Sequence, residues 1–419
     1  MTTARKFWLT STSFDGYGSY PDYMQQSNMF KNIGRIGVDM YLLFQHHTTH
    51  EILRNVSGDL DLFTITNTGW HFIKYLGPAV VIVGPDTRSE RDSHRVMAGP
   101  TYQGLFPKIA TLPPSVQHCI WMIPVPLLYP RLETAEHIAH TMATGKKAVT
   151  GTFNMLGRMT SSMAGVVGAK GVVGDGFSSI KKAVGKSGLM SSVLSPFGEI
   201  DMLDELRDMW THESKVRNLL QCKCPSTNQT SQDLERTYMI RTLQGIAHNK
   251  SLRMTFLSGS VNACGAGLVH DPSHPGDHKT MYQLITSSIV NAPPASYVLR
   301  LLNSNPKQPI YIPQNGQRSA GPHQPTQSTD TKEDMMEIFV ADVNGAPREM
   351  KRLMGRRNYV AMVAYDPEVV RGSHGSIVPG NKGPGRLSLA ADFMVQNEGA
   401  YAAPVKYGPV IIPSLDFGR

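Results

Sequence analysis

The 419-residue chain has few cysteines, few charged side chains and no long apolar run. Four cysteines are too few for the disulfide framework of a small secreted domain, so we expect free thiols in a reducing, intracellular compartment. Charged residues make up 18% of the chain, which disfavours long solvated helices. No window approaches the roughly 18 to 20 consecutive apolar residues that span a bilayer. The polar N-terminus also excludes a typical secretory signal, and we therefore expect neither a signal nor a transmembrane helix.

The composition that is present indicates a globular chain with many turns. Hydrophobic residues make up 40% of the sequence, and 38 glycines and 28 prolines punctuate it. The length suits one large domain with insertions or two ordinary domains. A formal net charge of +8 favours anionic partners, namely phosphate esters, acidic lipid headgroups or nucleic acid, without choosing among them.

Apolar periodicity predicts a mixed α/β fold. Residues 22–47 and 231–249 have helical spacing, whereas the β-branched run at 79–83 is typical of a strand buried on both faces. Further segments with strand character are 61–66, 71–76, 253–257, 281–294, 359–365 and, as a short edge strand, 409–413, and a helix is predicted over 295–303.

Residues 141–198 differ from the rest of the chain and are predicted to be a flexible insertion rich in glycine, serine and lysine. Two alternatives remain for it. A basic amphipathic helix over 146–159 would lie on an anionic membrane surface, because its apolar residues recur at helical spacing beside lysines. A flexible linker over 160–190 is the other, because repeated glycines oppose a continuous helix.

Two further clusters contain side chains that could bind a metal ion or an anionic ligand. Residues 270–278 contain three histidines and two aspartates, a mixture that suits zinc or iron if the loop folds on itself, although a plain surface loop is the alternative. Residues 348–357 contain five basic side chains. They suit a phosphorylated ligand or acidic lipid, or else form a turn that pairs with Asp342 or Glu349.

Five segments together resemble one family. The segment at 253–263, RMTFLSGSVNA, is an apolar run that stops at a Ser-Gly step, as at the carboxyl end of a buried strand. The others are FDGYGSYP at 14–21, VGPDTRSER at 83–91, IPVPLLYPRL at 123–132 and KRLMGRRN at 351–358. They resemble fungal PhoD-like phosphatase domains, the alkaline phosphatase D branch of the metallophosphoesterases.

The resemblance implies a layered sandwich of central β-sheets flanked by helices. It assigns residues 14–365 to the C-terminal portion of a phosphatase domain, with the insertion at 141–198, and leaves 366–419 as a Gly/Pro-rich tail. The family activity is metal-dependent phosphoester hydrolysis with divalent or trivalent ions such as calcium and iron. We expect phosphate esters or anionic lipid headgroups as partners, peripheral membrane contact, and no nucleic acid.

The sequence departs from the family at its metal motifs. Where relatives carry Gly-Asp-Val-His at the end of the buried strand, this chain has Ser260 and Asn262. Where they carry Asp-Asp-His-Asp before Asp15, it has Leu-Thr-Ser-Thr at 9–12. The resemblance therefore implies an N-terminally incomplete domain that is degenerate at its metal site.

Only weak candidates for a site remain. Asn262 and Asp15 are possible metal ligands, and Arg88 could clamp a phosphate unless it pairs with Asp86 or Glu90. We therefore expect the metal ions to be lost and hydrolysis to be impaired or absent. The alternatives are a catalytically inactive binding module, peripheral at an anionic membrane surface, or a truncated gene product without an independent role.

Overall fold

The computed structural model describes part of the chain, and all of the described residues belong to one compact unit. The described residues are 28–49, 51–52, 63–65, 70–87, 96–97, 99–124, 126–130, 232–259, 263–287, 289–290, 293, 296–303, 309–314, 328–368, 385–399 and 401–415. The insertion at 141–198 lies outside them.

The described residues form four helices and thirteen strands. The helices are α1 Asn28–His46, α2 Gly99–Ala110, α3 Gln232–Lys250 and α4 Ser296–Asn303. The strands are β1 Phe63–Ile65, β2 Trp70–Tyr75, β3 Val80–Gly84, β4 His118–Ile123, β5 Arg253–Ser258, β6 Cys264–His270, β7 Met281–Ile285, β8 Ile310–Tyr311, β9 Lys332–Met335, β10 Leu353–Met354, β11 Asn358–Tyr365, β12 Ser388–Val395 and β13 Val405–Ile412.

Ten strands make one mixed sheet, called here the large sheet. Its order is β1-β2-β3-β4-β5-β7-β6-β9-β8, and β10 pairs with β6. The central strands β3, β4, β5 and β7 are parallel, and the other pairings are antiparallel. Parallel strands are covered on both faces and read as nearly continuous apolar runs. The run VVIVG in β3 fits this rule, which confirms the prediction made for 79–83.

The antiparallel sheet β11-β12-β13, the small sheet, covers one face of the large sheet. Alternate residues of β12 face the core, as expected when one side of a strand is buried. The core shared by the sheets contains Val80, Ile120, Ala266 and Leu284 from the large sheet and Leu389, Phe393, Val410 and Ile412 from the small sheet. Phe339 fills the space between them, with its ring 6.0 Å from Phe393 and 5.2 Å from Tyr407.

Helices α2 and α3 cover the other face at the parallel strands. The Phe106 ring of α2 lies 6.3 Å from the Trp121 ring of β4 and 5.9 Å from Tyr238 of α3. Trp121 is fully buried, so the two helices and β4 share one aromatic core. The expected mixed α/β fold with more than one sheet is confirmed. Among the described residues no helix is long and apolar enough to cross a bilayer.

Three elements differ from expectation. Helix α2 was not predicted, because Gly99, Gly104 and Pro107 disfavour a helix while its buried residues hold it against the core. Strand β12 lies within the segment expected to be a Gly/Pro-rich tail, and β13 is longer than the short edge strand expected at 409–413. Both strands are held by the core between the sheets, a long-range contact that local composition does not show.

Buried polar groups tie the amino ends of β4 and β5, the amino edge, to the small sheet. His118 is fully buried and its Nε2 lies 2.7 Å from the Leu387 carbonyl oxygen just before β12. Burial lowers the pKa of His118 to about 4. Arg253, its neighbour across the sheet, is 1% exposed and donates to the Pro413 carbonyl oxygen after β13.

Candidate functional site

The four parallel strands end at one edge of the large sheet, called here the carboxyl edge. Their last residues are Gly84, Ile123, Ser258 and Ile285. In sheets of this kind, ligands bind outside the carboxyl ends of the strands. The carboxyl edge is therefore the place to look for a functional site.

Polar groups at the end of β3 are buried and held by β2 and α2. The Asp86 N–H donates to Nδ1 of His71 at 3.0 Å, and Nε2 of His71 lies 3.2 Å from the Thr101 hydroxyl. Because Nδ1 accepts a hydrogen bond, the proton of this ring is on Nε2. His71 thus fixes the turn at Asp86, and this use of Nδ1 is incompatible with a role as a base at that atom. The adjacent Thr87 is fully buried, and its hydroxyl has no hydrogen-bond partner within the part of the chain that the structure describes.

Glu235 of α3 holds the segment that follows this turn. Its carboxylate accepts hydrogen bonds from the Val96 and Met97 N–H groups at 2.6 and 2.8 Å, and from the Tyr102 hydroxyl at 2.6 Å. Three hydrogen-bond donors satisfy this partly buried carboxylate and hold it in position. We therefore assign Glu235 a positioning role for residues 96–97.

An amide and a hydroxyl connect the ends of β5 and β7. Nε2 of Gln283 donates to the Ser258 hydroxyl at 2.8 Å, and both side chains are buried. Oε1 of Gln283 accepts from the N–H groups of Leu127 at 3.0 Å and Leu128 at 3.4 Å. The amide oxygen thus holds the segment that follows β4, and the amide nitrogen links β7 to the end of β5.

A second amide joins the end of β7 to the small sheet. Oδ1 of Asn358 accepts from the Thr286 hydroxyl at 3.0 Å and the Ser287 N–H at 3.1 Å. Its Nδ2 donates to the Ser287 hydroxyl and to the Arg356 carbonyl oxygen at 2.7 Å. Asn358 therefore fixes where the basic block at 348–357 meets the carboxyl edge.

The family model for PhoD related phosphatase matches residues 10–419, which include both sheets. The chain belongs to the PhoD-related phosphatase family. This confirms the resemblance inferred from the sequence segments. The match continues through β12 and β13 to the last residue.

One curated relative is the uncharacterized protein YGR266W of Saccharomyces cerevisiae. The two sequences are 23% identical over an alignment of 404 positions, and the alignment covers 86% of this chain and 47% of the yeast protein. The chain thus spans about half the length of the curated relative that it matches. No solved structure matches the chain.

The PhoD-related site residues inferred from the sequence lie outside the described residues. These are Asp15, Arg88, Ser260 and Asn262. The described neighbours Thr87, Gly259 and Ala263 belong to the carboxyl edge or to the connection that leaves it. Among the described residues, no group of three or more His, Cys, Asp or Glu side chains is arranged to hold a metal ion.

The histidine loop at 270–278 lies at the opposite, amino edge, because it precedes β7. Its side chains have separate partners: Nε2 of His270 lies 3.0 Å from Asp334, and Nζ of Lys279 lies 2.8 Å from Asp271. The hydrogen bond from Lys279 lowers the pKa of Asp271 to about 2. His274 is exposed. The histidines and aspartates of the described loop thus pair with one another or with neighbouring charges, and no three of them are grouped as metal ligands, which favours the surface-loop alternative.

The basic block matches in part the turn predicted from the sequence. Arg348 and Arg356 both approach Asp342, and Arg352 lies 3.8 Å from Glu337. Arg357 donates to the Val290 carbonyl oxygen in the connection after β7. The block is thus anchored beside the carboxyl edge.

Gln283 and Asn358 were not predicted as members of this edge. Gln283 gives a weak signal, since it is the one amide in the apolar strand MYQLI. Asn358 gives none, because its partners Thr286 and Ser287 are more than 70 residues away in sequence.

Proposed function

We propose that this PhoD-related chain is a phosphatase-family module in which metal-dependent phosphoester hydrolysis is impaired or absent, and which acts by binding anionic ligands. The observation that carries the proposal is the chemistry of the carboxyl edge. Ser258, Gln283 and Asn358 are neutral groups there, and they are already engaged in hydrogen bonds within the protein.

Calcium and iron are the ions implied by the family resemblance. Both require ligands other than the neutral hydroxyl and amide groups found at the carboxyl edge. Calcium takes several carboxylate and carbonyl oxygens, and iron takes carboxylates, imidazoles or thiolates. Among the described residues the carboxyl edge offers no such set: Asp86 has no two other His, Cys, Asp or Glu side chains grouped with it to hold an ion, Glu235 is used by three protein donors, and His71 accepts a hydrogen bond at Nδ1. Ser260 and Asn262 add only neutral oxygens where the family has aspartate and histidine.

The test is hydrolysis by the purified full chain supplied with calcium, iron, zinc or manganese. We expect aryl phosphate mono- and diesters to be cleaved no faster than in protein-free buffer, because no bound hydroxide is generated without a metal cage. Elemental analysis of the same preparation is expected to give well under one equivalent of any of these metals.

Two variants show how hydrolysis by the purified chain, if observed, is to be interpreted. Turnover by the unmodified chain that disappears in Asn262→Ala would overturn the proposal, because it would place a working site at this position. The double variant Ser260→Asp, Asn262→His is expected to stay inactive, since two ligands do not complete a metal cage. Activity in that variant alone would show that the remainder of the site is intact.

A second candidate function is peripheral binding at an anionic membrane surface. Supporting it, α1 exposes apolar side chains at helical spacing: Met29, Ile36, Met40, Leu43 and Phe44, with Phe44 71% exposed. Helices with one apolar face bind in the interfacial region of a bilayer, and positive charge adds attraction to acidic lipids. The formal net charge of +8 has the required sign.

Liposome sedimentation tests this candidate and separates its two possible anchors. We expect binding to vesicles containing phosphatidylserine, weak binding to phosphatidylcholine alone, and release at high salt. Phe44→Glu should abolish sedimentation if α1 is the anchor, whereas deletion of 141–195 should do so if the insertion is. Sedimentation that is insensitive to salt and to both changes would contradict membrane binding by either segment.

A further inference from the structure

The outer strands of the two described sheets differ in how readily they can accept a further strand. An outer strand has free N–H and C=O groups along one side, and native proteins limit pairing there with short strands, lysine, proline or bulges. On the large sheet the outer strands β1 and β8 have three and two residues. On the small sheet β13 contains Lys406 and Pro409, and its pairing with β12 is irregular at 391–393. Each of these three strands therefore has a feature that disfavours pairing.

The remaining outer strand, β11, has none of these features. Its eight residues, NYVAMVAY, include no charged residue, glycine or proline. Within the part of the chain that the structure describes, β11 pairs with β12 and with no other strand. Because the Gln396 N–H donates to the Arg357 carbonyl oxygen, the odd-numbered residues of β11 bond β12. The N–H and C=O groups of the even-numbered residues therefore point away from β12, where a further strand would bond them.

The side chains of β11 are apolar on both faces and incompletely covered. On the outer face Tyr359 is 46% exposed, Val363 is 62% exposed, and Ala361 between them is exposed as well. On the face toward the core, Val360 and Met362 are only partly buried, whereas the core-facing residues of β12 are buried. A strand added beside β11 would cover both sets of side chains and extend the core between the sheets.

The charges that flank β11 have opposite signs at its two ends. Arg356 and Arg357 precede the strand, and Asp366 and Glu368 follow it. A second copy that runs antiparallel places its acidic end beside the basic end of the first copy, and this happens at both ends of the pair. A parallel copy would instead bring like charges together, which is unfavourable. The charge pattern therefore fits an antiparallel second copy of this chain.

We propose that two copies of the chain associate through β11, which pairs with itself about a two-fold axis at Ala361 and joins the two three-stranded small sheets into one sheet. In this register Tyr359 of one copy lies opposite Val363 of the other on the outer face. On the core face Val360 lies opposite Met362. Pairs of an aromatic and a β-branched side chain stabilise antiparallel sheets. The backbone groups that bond across the axis are the even-numbered ones that β12 leaves open.

The experiment is sedimentation velocity of the purified full chain over a series of concentrations. We expect a monomer–dimer equilibrium with a dissociation constant of about 100 μM or tighter, in the range of small interfaces. Ala361→Lys should weaken association about fivefold or more, because two lysines then meet at the axis. Asp392, the neighbour of Ala361 on β12, is already paired with Lys406 at 2.8 Å and does not neutralise the new charge.

Two control variants show whether β11 is the surface that associates. Ile411→Lys adds the same charge to an exposed position on β13, at the other side of the small sheet, and should leave association unchanged. Phe44→Glu should also leave it unchanged, which separates strand pairing from association through the exposed apolar face of α1. The proposal is overturned if Ala361→Lys and Ile411→Lys weaken the dimer equally. It is also overturned if the chain stays monomeric at about 1 mM, which would leave the β11 edge to a different partner.

Cysteine cross-linking tests the register. Two residues that face each other at the axis form a pair without hydrogen bonds, with Cα atoms about 4.5 Å apart, which suits a disulfide. In a background with Cys222→Ser and Cys224→Ser, Ala361→Cys should give a disulfide-linked dimer with oxidised glutathione. The other native cysteines are buried. Val363→Cys should not cross-link, because Tyr359 of the second copy lies opposite it. Equal cross-linking at both positions, or none at Ala361→Cys, would overturn the two-fold pairing.

Discussion

Replacement of Arg253 by methionine is expected to lower the free energy of unfolding by about 4 kcal/mol, because it removes the donor shared by one buried and three partly buried carbonyl oxygens. The guanidinium donates to four carbonyl oxygens, those of Pro413 at 2.9 Å, Asp277 at 2.8 Å, Thr280 at 2.7 Å and Gly276 at 2.9 Å. It thereby joins three parts of the fold: β5, the loop before β7 and the end of β13. Methionine has similar length and no donor. The measurement is urea unfolding followed by circular dichroism.

Two further variants test whether the loss of stability is specific to the guanidinium group of Arg253. Arg253→Lys keeps the charge but cannot reach four carbonyls with one ammonium group, so it should retain only part of the stability. Arg300→Ala on the exposed surface of α4 should change stability by less than about 0.5 kcal/mol. A loss below about 1 kcal/mol for Arg253→Met would show that water replaces the guanidinium and that these carbonyls are not buried acceptors.

The parallel centre of the fold could be predicted from sequence because it depends on local pattern. The run at 79–83 is continuous and β-branched, which is required when a strand is covered on both faces, and it forms β3. The Ser-Gly step after the run at 253–257 likewise marks the end of β5 at the carboxyl edge. In both cases the side chains of a few neighbouring residues determine where the strand forms or ends.

Elements whose stability comes from distant contacts could not be predicted in this way. Helix α2 contains Pro107 and two glycines, yet its buried residues recur at helical spacing and pack on Trp121 and Tyr238. Strand β12 includes alanines and an aspartate, residues that disfavour strands, and is held by pairing with β11 and β13. Tertiary packing outweighs local propensity in each.

Sequence pattern likewise predicts only part of the candidate functional site at the carboxyl edge. It locates the ends of β3 and β5 at this edge. It names Asp342 as one of two possible partners of the basic block. It does not show that Arg348 and Arg356 share this aspartate, or that Asn358 reaches Ser287. The contact of Asn358 joins the small sheet to the end of β7, residues that are far apart in sequence. The basic block could therefore be named from the sequence, whereas the geometry of its ion pairs required the structure.

Replacement of Gln283 by leucine is expected to lower the free energy of unfolding by about 3 kcal/mol. Leucine fits the volume but leaves the Leu127 N–H and the Ser258 hydroxyl without their buried partner. The segment that follows β4 is held here, and Arg236 also donates to the Leu127 carbonyl oxygen at 2.7 Å. Hydrogen exchange should accelerate at Leu127 and Leu128 beyond the change in global stability, because the loss is local.

A double-mutant cycle with Ser258→Ala distinguishes the loss of the hydrogen bond between Gln283 and Ser258 from a simple packing defect. Ser258→Ala alone should cost about 1 kcal/mol, since it leaves one amide donor of Gln283 unpaired. In the double variant the hydroxyl is gone as well, so its loss of stability should be smaller than the sum of the two single losses. Additive losses would mean that the two side chains do not interact, and would contradict the assignment of Gln283 as the link between β5, β7 and the segment after β4.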